Sequence, residues 1–187
     1  MAKYVHRTPI RDILGEEYTA AIGRYVAKLT VLGYNAIMEA YDEGHSSTPP
    51  TYEGPVGDGK WRHRTRNLHD SFASAVYVQG ELIEDSIRFV GPEYFQEVDP
   101  KTQMSGRDTA REYLENPDVD VSGEVTLLCV AAMYYSEYLE EGTHRGGYHI
   151  QVISSAADYI EDHWQEVEDE VFGIDSVHYI VAGGIEL

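Results

Sequence analysis

The chain has one cysteine, Cys129, so no disulfide can form within it and nothing in it argues for an oxidising compartment. Positive charge is also scarce. Lysine and arginine number 14 against 33 aspartates and glutamates, a formal charge of −19 over 187 residues. A surface this acidic repels duplex DNA and anionic lipid rather than coating itself with them. Long hydrophobic runs are lacking too. The longest, V-T-L-L-C-V-A-A-M-Y-Y at 125–135, is about half of the ~20 residues a membrane-crossing helix needs, and reads as a core segment. The opening M-A-K-Y-V-H-R-T-P-I-R-D has no apolar stretch of the kind a signal peptide uses, so a cytoplasmic site of synthesis is expected. There is no internal repeat and no low-complexity tract.

What remains is a globular composition. With 42% hydrophobic and 11% aromatic residues, a chain of this length can bury a sizeable core as a single domain spanning 1–187. Thr8-Pro9 followed by Asp12 is a helix-start signature: a hydroxyl cap, a proline in the first turn and an acid near the positive end of the dipole. Apolar residues then recur at gaps of three and four through Ile10, Leu14, Tyr18, Ile22, Tyr25, Leu29, Leu32, Ala36 and Ala40, with Ile37 and Tyr41 beside the last two. That spacing predicts one long helix to about Glu43, ended by Gly44.

Residues 45–60 hold three prolines and three glycines and read as an exposed loop. Asn67 then caps a short helix through Phe72, and residues 73–91 read as two short strands around Gly80. Residues 91–122 break the pattern with Gly-Pro, Asp-Pro, Ser-Gly and Asn-Pro pairs and read as an insertion with a short helix near Asp108–Leu114. Strand character returns at 124–130, followed by a helix from about Ala131 to Glu141. The best-defined element is an amphipathic helix with an apolar stripe at Ile150, Ile153, Ala157, Ile160, Trp164, Val167 and Val171. Its other face carries Asp158, Glu161, Asp162, Glu166, Glu168 and Asp169, and Gly173 is its stop. The extension at 174–187 has period-two character at Val177, Tyr179 and Val181, suited to a last strand on this sheet or on a neighbour's. Together these elements mix long helices with short strands.

Few residues offer chemistry. Glu140, Glu141, His144 and His149 surround one loop, but they form no H-E-x-x-H pair and no Cys/His quartet, and no metal or other cofactor is expected. No G-x-S-x-G elbow is present, neither phosphate-loop glycine fingerprint occurs, and a thiol at Cys129 in an apolar strand should stay protonated. No catalytic residue is assigned and no enzymatic activity is expected. One charged cluster stands out. K-W-R-H-R-T-R (60–66) gathers Lys60, Arg62, Arg64 and Arg66 around Trp61. If extended, it points its three arginines to one side. It reads either as a solvated loop whose arginines pair with acids of the same chain, or as a segment that docks on an acidic surface, another copy of this chain included. Nucleic-acid contact is opposed by the remaining charge.

Two motifs together carry a resemblance. T-R-N-L-H-D-S-F (65–72), with Asn67, Leu68 and Ser71, resembles a Thr-Gly-Asn-Leu-(Arg)-x-Ser-Ile signature. Y-Y-S-E-Y-L-E-E-G-T (134–143), with Tyr135, Tyr138, Glu140, Gly142 and Thr143, resembles a Tyr-Ala-x-Tyr-Val-Glu-x-Gly-Thr signature that leads into an amphipathic helix. In this order they are similar to the tail-completion or head–tail joining family of small neck proteins in long-tailed bacteriophages.

The resemblance implies an α+β subunit, a long N-terminal helix and a C-terminal amphipathic helix packed on an antiparallel sheet. It also implies a homo-oligomeric ring, sixfold or twelvefold, located in the neck or tail of the virion and assembled in the bacterial host cytoplasm. Its partners would be portal or connector proteins and tail-tube or tail-terminator proteins. DNA would pass through the channel without sequence-specific binding, and no membrane would be involved. On this reading 134–143 is a structural hinge that packs a short helix on the sheet and sets the angle of the last helix. His144 and Arg145 become candidates for contact with a neighbour. A closed ring needs two different patches that meet, and Arg62–Arg66 against Glu161, Asp162, Glu166 and Asp169 is complementary in sign. The competing expectations are a metal-dependent hydrolase built on Glu140–His149 and an acidic module that masks a basic surface.

Overall fold

The computed structural model describes residues 2–8, 16–44, 67–91, 98–140, 151–173 and 185–186. Its centre is the apolar run noted above. Val125–Ala131 forms β5, a strand whose seven residues are all buried. Such complete burial requires that both faces of the sheet be covered, which explains why the run does not alternate with polar residues. Strand β1 (Ala2–Thr8) lies on one side of β5 and β2 (Phe72–Val78) on the other. Both are antiparallel, with Tyr4, Cys129 and Ser74 in one row.

Outside β2 lie β3 (Glu81–Leu82) and β4 (Arg88–Phe89), and outside β1 lies β6 (Ile185–Glu186). The turn joining β2 to β3 has positive φ at both Gln79 and Gly80. That is the backbone hand a tight hairpin needs to match strand twist. The paired strands are predicted around Gly80, and the structure adds β4.

On one face two long helices run antiparallel, α1 (Glu16–Gly44) and α5 (Val152–Phe172). Their inner stripes include Tyr25, Leu29, Ile37, Ile153 and Ile160. They meet Tyr4, Phe72, Val76, Leu127 and Cys129 from the sheet in one hydrophobic cluster. Each such large side chain contributes about 2 kcal/mol through removal from water. Gly33 lets α1 come close, because a Cβ there would stand 2.8 Å from Leu127 Cδ1 and 3.2 Å from the Ser74 Cβ. The fold is therefore α+β with two helices on an antiparallel sheet, as expected, and the two helices stand where the spacing predicts.

Several local expectations need correction. The strand β1 is absent from the sequence reading: A-K-Y-V-H-R-T mixes charge with apolar residues over a short span, and Thr8 ends a strand. Helix α1 is described from Glu16; the expected start at residues 9–15 lies outside the described residues. The helix opened by Asn67, α2 (Asn67–Asp70), ends two residues before Phe72, which begins β2. The helix expected from Ala131 is confined to α4 (Ser136–Glu140), because Ala131 still pairs with Phe72 and Ala2 at the end of β5.

The 91–122 segment, read above as an insertion, contributes packing to the sheet. Its helix α3 (Gly106–Glu115) covers the second face of the sheet. There Ala110, Tyr113, Leu114 and Val119 pack on Val5, Ala75, Tyr77 and Leu128. Tyr77 Oη donates to the Leu114 carbonyl at 2.5 Å, and Tyr113 donates to Asp118, which also pairs with Lys3.

Glu168, assigned above to the solvent face of the last helix, is fully buried and accepts a hydrogen bond from Tyr25 Oη at 3.1 Å. The position sits at the edge of the inward stripe, where the Tyr25 hydroxyl on α1 meets it. Lys28 Nζ pairs with Glu170 at 2.6 Å on the surface nearby.

His6 on β1 is 4% exposed and packs its ring against Trp164, 5.4 Å between centroids. Burial lowers its pKa from 6.5 to about 4, so the folded chain holds it neutral while the unfolded chain protonates it below pH 6.5. Stability from this group is complete above that value and is lost as pH falls toward 4. The expected loss is about 2 kcal/mol at pH 5. Urea midpoints from pH 7.5 to 4.5 should show that slope in the parent, and His6→Gln should flatten it. A parallel slope in the variant would exclude His6 as the cause.

Candidate functional site

The two resemblance motifs are the natural candidates, and the described part of each is taken up by joints between elements. In the first, Thr65 and Arg66 lie outside the described residues, and Asn67, His69, Asp70 and Ser71 are buried. Asn67 Oδ1 accepts the backbone N–H of Gly106 at 3.2 Å, the first residue of α3. Ser105 caps the same helix, accepting from the Asp108 N–H at 3.0 Å while its hydroxyl donates to the Asp108 carboxylate at 2.7 Å. Two of the amides that a helix start leaves unpaired are thus satisfied, one of them from a residue far away in sequence.

Ser71 Oγ donates to the Leu68 carbonyl at 2.7 Å, and its own carbonyl accepts from Ala132 N at 3.2 Å. Leu68 packs on the helix-side core. His69 Nδ1 lies 2.7 Å from Asp70 Oδ1, and the Tyr41 ring packs on the imidazole at 4.7 Å. Gly91 presses so closely on the Asp70 carboxylate that a Cβ there would collide with it. Sequence reading missed the His69–Asp70 pair; only their adjacency inside the motif signals it. Both members are buried, and they join α2 to α1 and to the end of β4.

The second motif makes a similar joint. Tyr134 is exposed, with Lys101 Nζ 3.6 Å from its ring centre, and Tyr135 meets it edge-on at 5.0 Å. Ser136 Oγ donates to the Ala131 carbonyl at 2.6 Å and accepts from Ala2 N at 3.3 Å, tying the first strand to α4. The side chain of Tyr138 lies outside the described residues.

Glu140 is the pivotal residue. Its Oε1 accepts from Ile153 N at 2.8 Å, and its Oε2 accepts from Ser154 N at 3.2 Å and Ser154 Oγ at 3.0 Å. Gln151, which stands at the helix boundary, makes no side-chain cap bond, so α4 supplies the cap for α5 with a negative charge at the positive end of the dipole. Burial raises the Glu140 pKa above the ordinary glutamate value, and the donated hydrogen bonds pull against that rise. Both oxygens accept hydrogen bonds from the start of α5. Glu141, Gly142, Thr143, His144, Arg145 and His149 lie outside the described residues.

The acidic ridge is largely as expected. Asp158, Glu161, Asp162, Glu166, Asp169 and Glu170 are exposed on α5, while Trp164 points into the core. Glu170 is held by Lys28, and Asp169 accepts from Gln165 Nε2 at 3.1 Å. Lys60, Trp61, Arg62, Arg64 and Arg66 lie outside the described residues, so their proposed meeting with this ridge has no geometry to report. Cys129 is fully buried, and burial pushes its thiol pKa up to about 12. That is the reverse of what a nucleophilic cysteine requires. Among the described residues, no helix is long and apolar enough to cross a membrane. No protein-family model, curated protein or solved structure matches the chain.

Proposed function

We propose that the chain is a structural subunit of a bacteriophage neck, one copy of a ring at the head–tail junction that surrounds the DNA channel and does no bond-making chemistry. The observation that carries this reading is the employment of the motif side chains. Asn67 and Glu140 spend side-chain oxygens on fixing one helix against another, and Ser71 closes α2 with its hydroxyl while its backbone carbonyl holds Ala132. A subunit that must keep its shape under load while exposing charge to neighbours is served by such joints. The exposed acidic ridge of α5 and the basic 60–66 segment supply two unlike patches, which a cyclic head-to-tail contact requires. The portal or connector on one side and the tail tube or terminator on the other would be its partners in the virion.

The test is the state of the full chain by native mass measurement and negative-stain imaging, alone and with portal-bearing particles. A closed sixfold or twelvefold ring is the expected result. Arg62→Glu with Arg64→Glu should abolish it, and adding Asp162→Lys with Glu166→Lys should restore it. Absence of rings under both conditions would overturn the reading, and failure of the combined variant would exclude this pair of patches.

A further inference from the structure

Helix α1 has a second stripe that the fold does not use. Ala20, Arg24, Ala27, Val31, Tyr34 and Met38 recur at alternating steps of four and three residues on the side away from the core. The first four are exposed and the last two half-buried. Alternate steps of four and three are the period of a helix seam that packs against another helix. Val31, at the middle of the stripe, is 56% exposed and is one of three large hydrophobic residues that are exposed among the described residues. Near its start, Gly23 has open space where a Cβ would stand.

The charges flanking the stripe are polarised along the helix. Arg24 and Lys28 stand in its first half, Glu39 and Asp42 in its second, and all four are exposed. Lys28 is engaged with Glu170, whereas Arg24, Glu39 and Asp42 have no ion-pair partner among the described residues. An open groove of about 550 Å³ lies between the two helices at the acidic end, lined by Asn35, Met38, Glu39, Asp42 and Tyr159.

We propose that the outer face of α1 is a contact between two copies of this chain, with their α1 helices packed antiparallel about a two-fold axis near Val31–Gly33. A parallel pair would set basic against basic and acidic against acidic. The antiparallel pair sets Arg24 of each copy at the acidic groove of the other, against Glu39 and Asp42, and does so twice by symmetry. Ala20, Gly23 and Ala27 keep the helices close, and Val31 closes the centre. In a chain of net charge −19, self-association through a helix face depends on such a local basic residue.

The contact does not rest on the neck reading. A ring without it would leave that reading intact and remove this one, and a two-fold dimer that never closes into a ring would do the opposite.

Sedimentation and light scattering of the full chain at low salt should find a species of two copies, or an even multiple. Arg24→Glu should weaken its association by roughly tenfold or more, and adding Glu39→Arg and Asp42→Arg should recover most of the loss. Because Cys129 is buried, Val31→Cys places the only accessible thiol at the proposed axis. Mild oxidation should join two copies there, and much less in Asp162→Cys on the outer ridge of α5. A monomer at all concentrations, an unchanged association in Arg24→Glu, or equal cross-linking at the two sites would each overturn the proposal.

Discussion

Gly106→Ala is expected to destabilise the chain by about 3 kcal/mol or more, although alanine is the better helix former. Gly106 opens α3, and a Cβ there would run into the backbone carbonyl of Asn67. The collision cannot be relieved by rotating a side chain, because the opposing atom is main chain in a buried segment. Moving it would also break the Asn67 Oδ1 bond to the Gly106 amide. For a chain of this size the melting temperature should fall by roughly 10 °C. Gly23→Ala is the matched control: nothing in the same subunit lies near its Cβ, so at a dilution where the chain is monomeric it should gain up to about 1 kcal/mol. Urea unfolding of the two variants side by side checks both signs. Similar small gains in both variants would mean that α3 does not dock on Asn67.

The second large effect is expected at Glu140. Glu140→Ala removes the acceptors for Ile153 N, Ser154 N and Ser154 Oγ. It thereby leaves amides at the buried start of a 21-residue helix without partners. Loss of a cap costs about 1 kcal/mol, and stranding buried donors raises that to roughly 2–3 kcal/mol. Glu140→Gln keeps one carbonyl acceptor and should lose about half as much. Hydrogen exchange localises the effect: amides of Ile153 and Ser154 should speed up first, with β5 unchanged. Uniform acceleration across the chain would point to a global rather than a capping role.

How much of this was legible beforehand depends on whether a signal is local. Helix α5 was legible because Ile153, Ala157, Ile160 and Trp164 repeat the helical period without interruption. The strand β5 was legible because nothing polar except Thr126 enters it. Glu168 was misread because its neighbours on the acidic face are solvated, and its contact with Tyr25 on another helix leaves no trace in local spacing. The role of α3 was hidden by its composition. In G-R-D-T-A-R-E-Y-L-E three apolar side chains suffice to cover half a sheet face when β2 and β5 are apolar on both sides. The strand β1 was hidden because its partner stands at the far end of the chain.

The motif residues Asn67, Ser71 and Glu140 could be singled out in the sequence, but not their work. A cap supplied from the preceding helix, or an amide of α3 held by a residue of α2, exists only once the chain has folded back on itself. The basic 60–66 segment and the 141–150 loop, which carry most of the proposed neighbour contacts, lie outside the described residues.

The placement of the first strand has a consequence for how the molecule is made. Ala2 N is bonded to Ser136 Oγ across a separation of 134 residues, and every residue of β1 is paired with β5. A ribosome must therefore release more than two thirds of the chain before the amino-terminal strand finds its slot. Until then β2 to β4 can close as a local hairpin, while one side of the future sheet stays unzipped. Loop closure over such a span makes docking of β1 a late and slow event during maturation. A bulky fusion at the amino terminus would burden that step, and yield in the host should suffer before the stability of the finished subunit does.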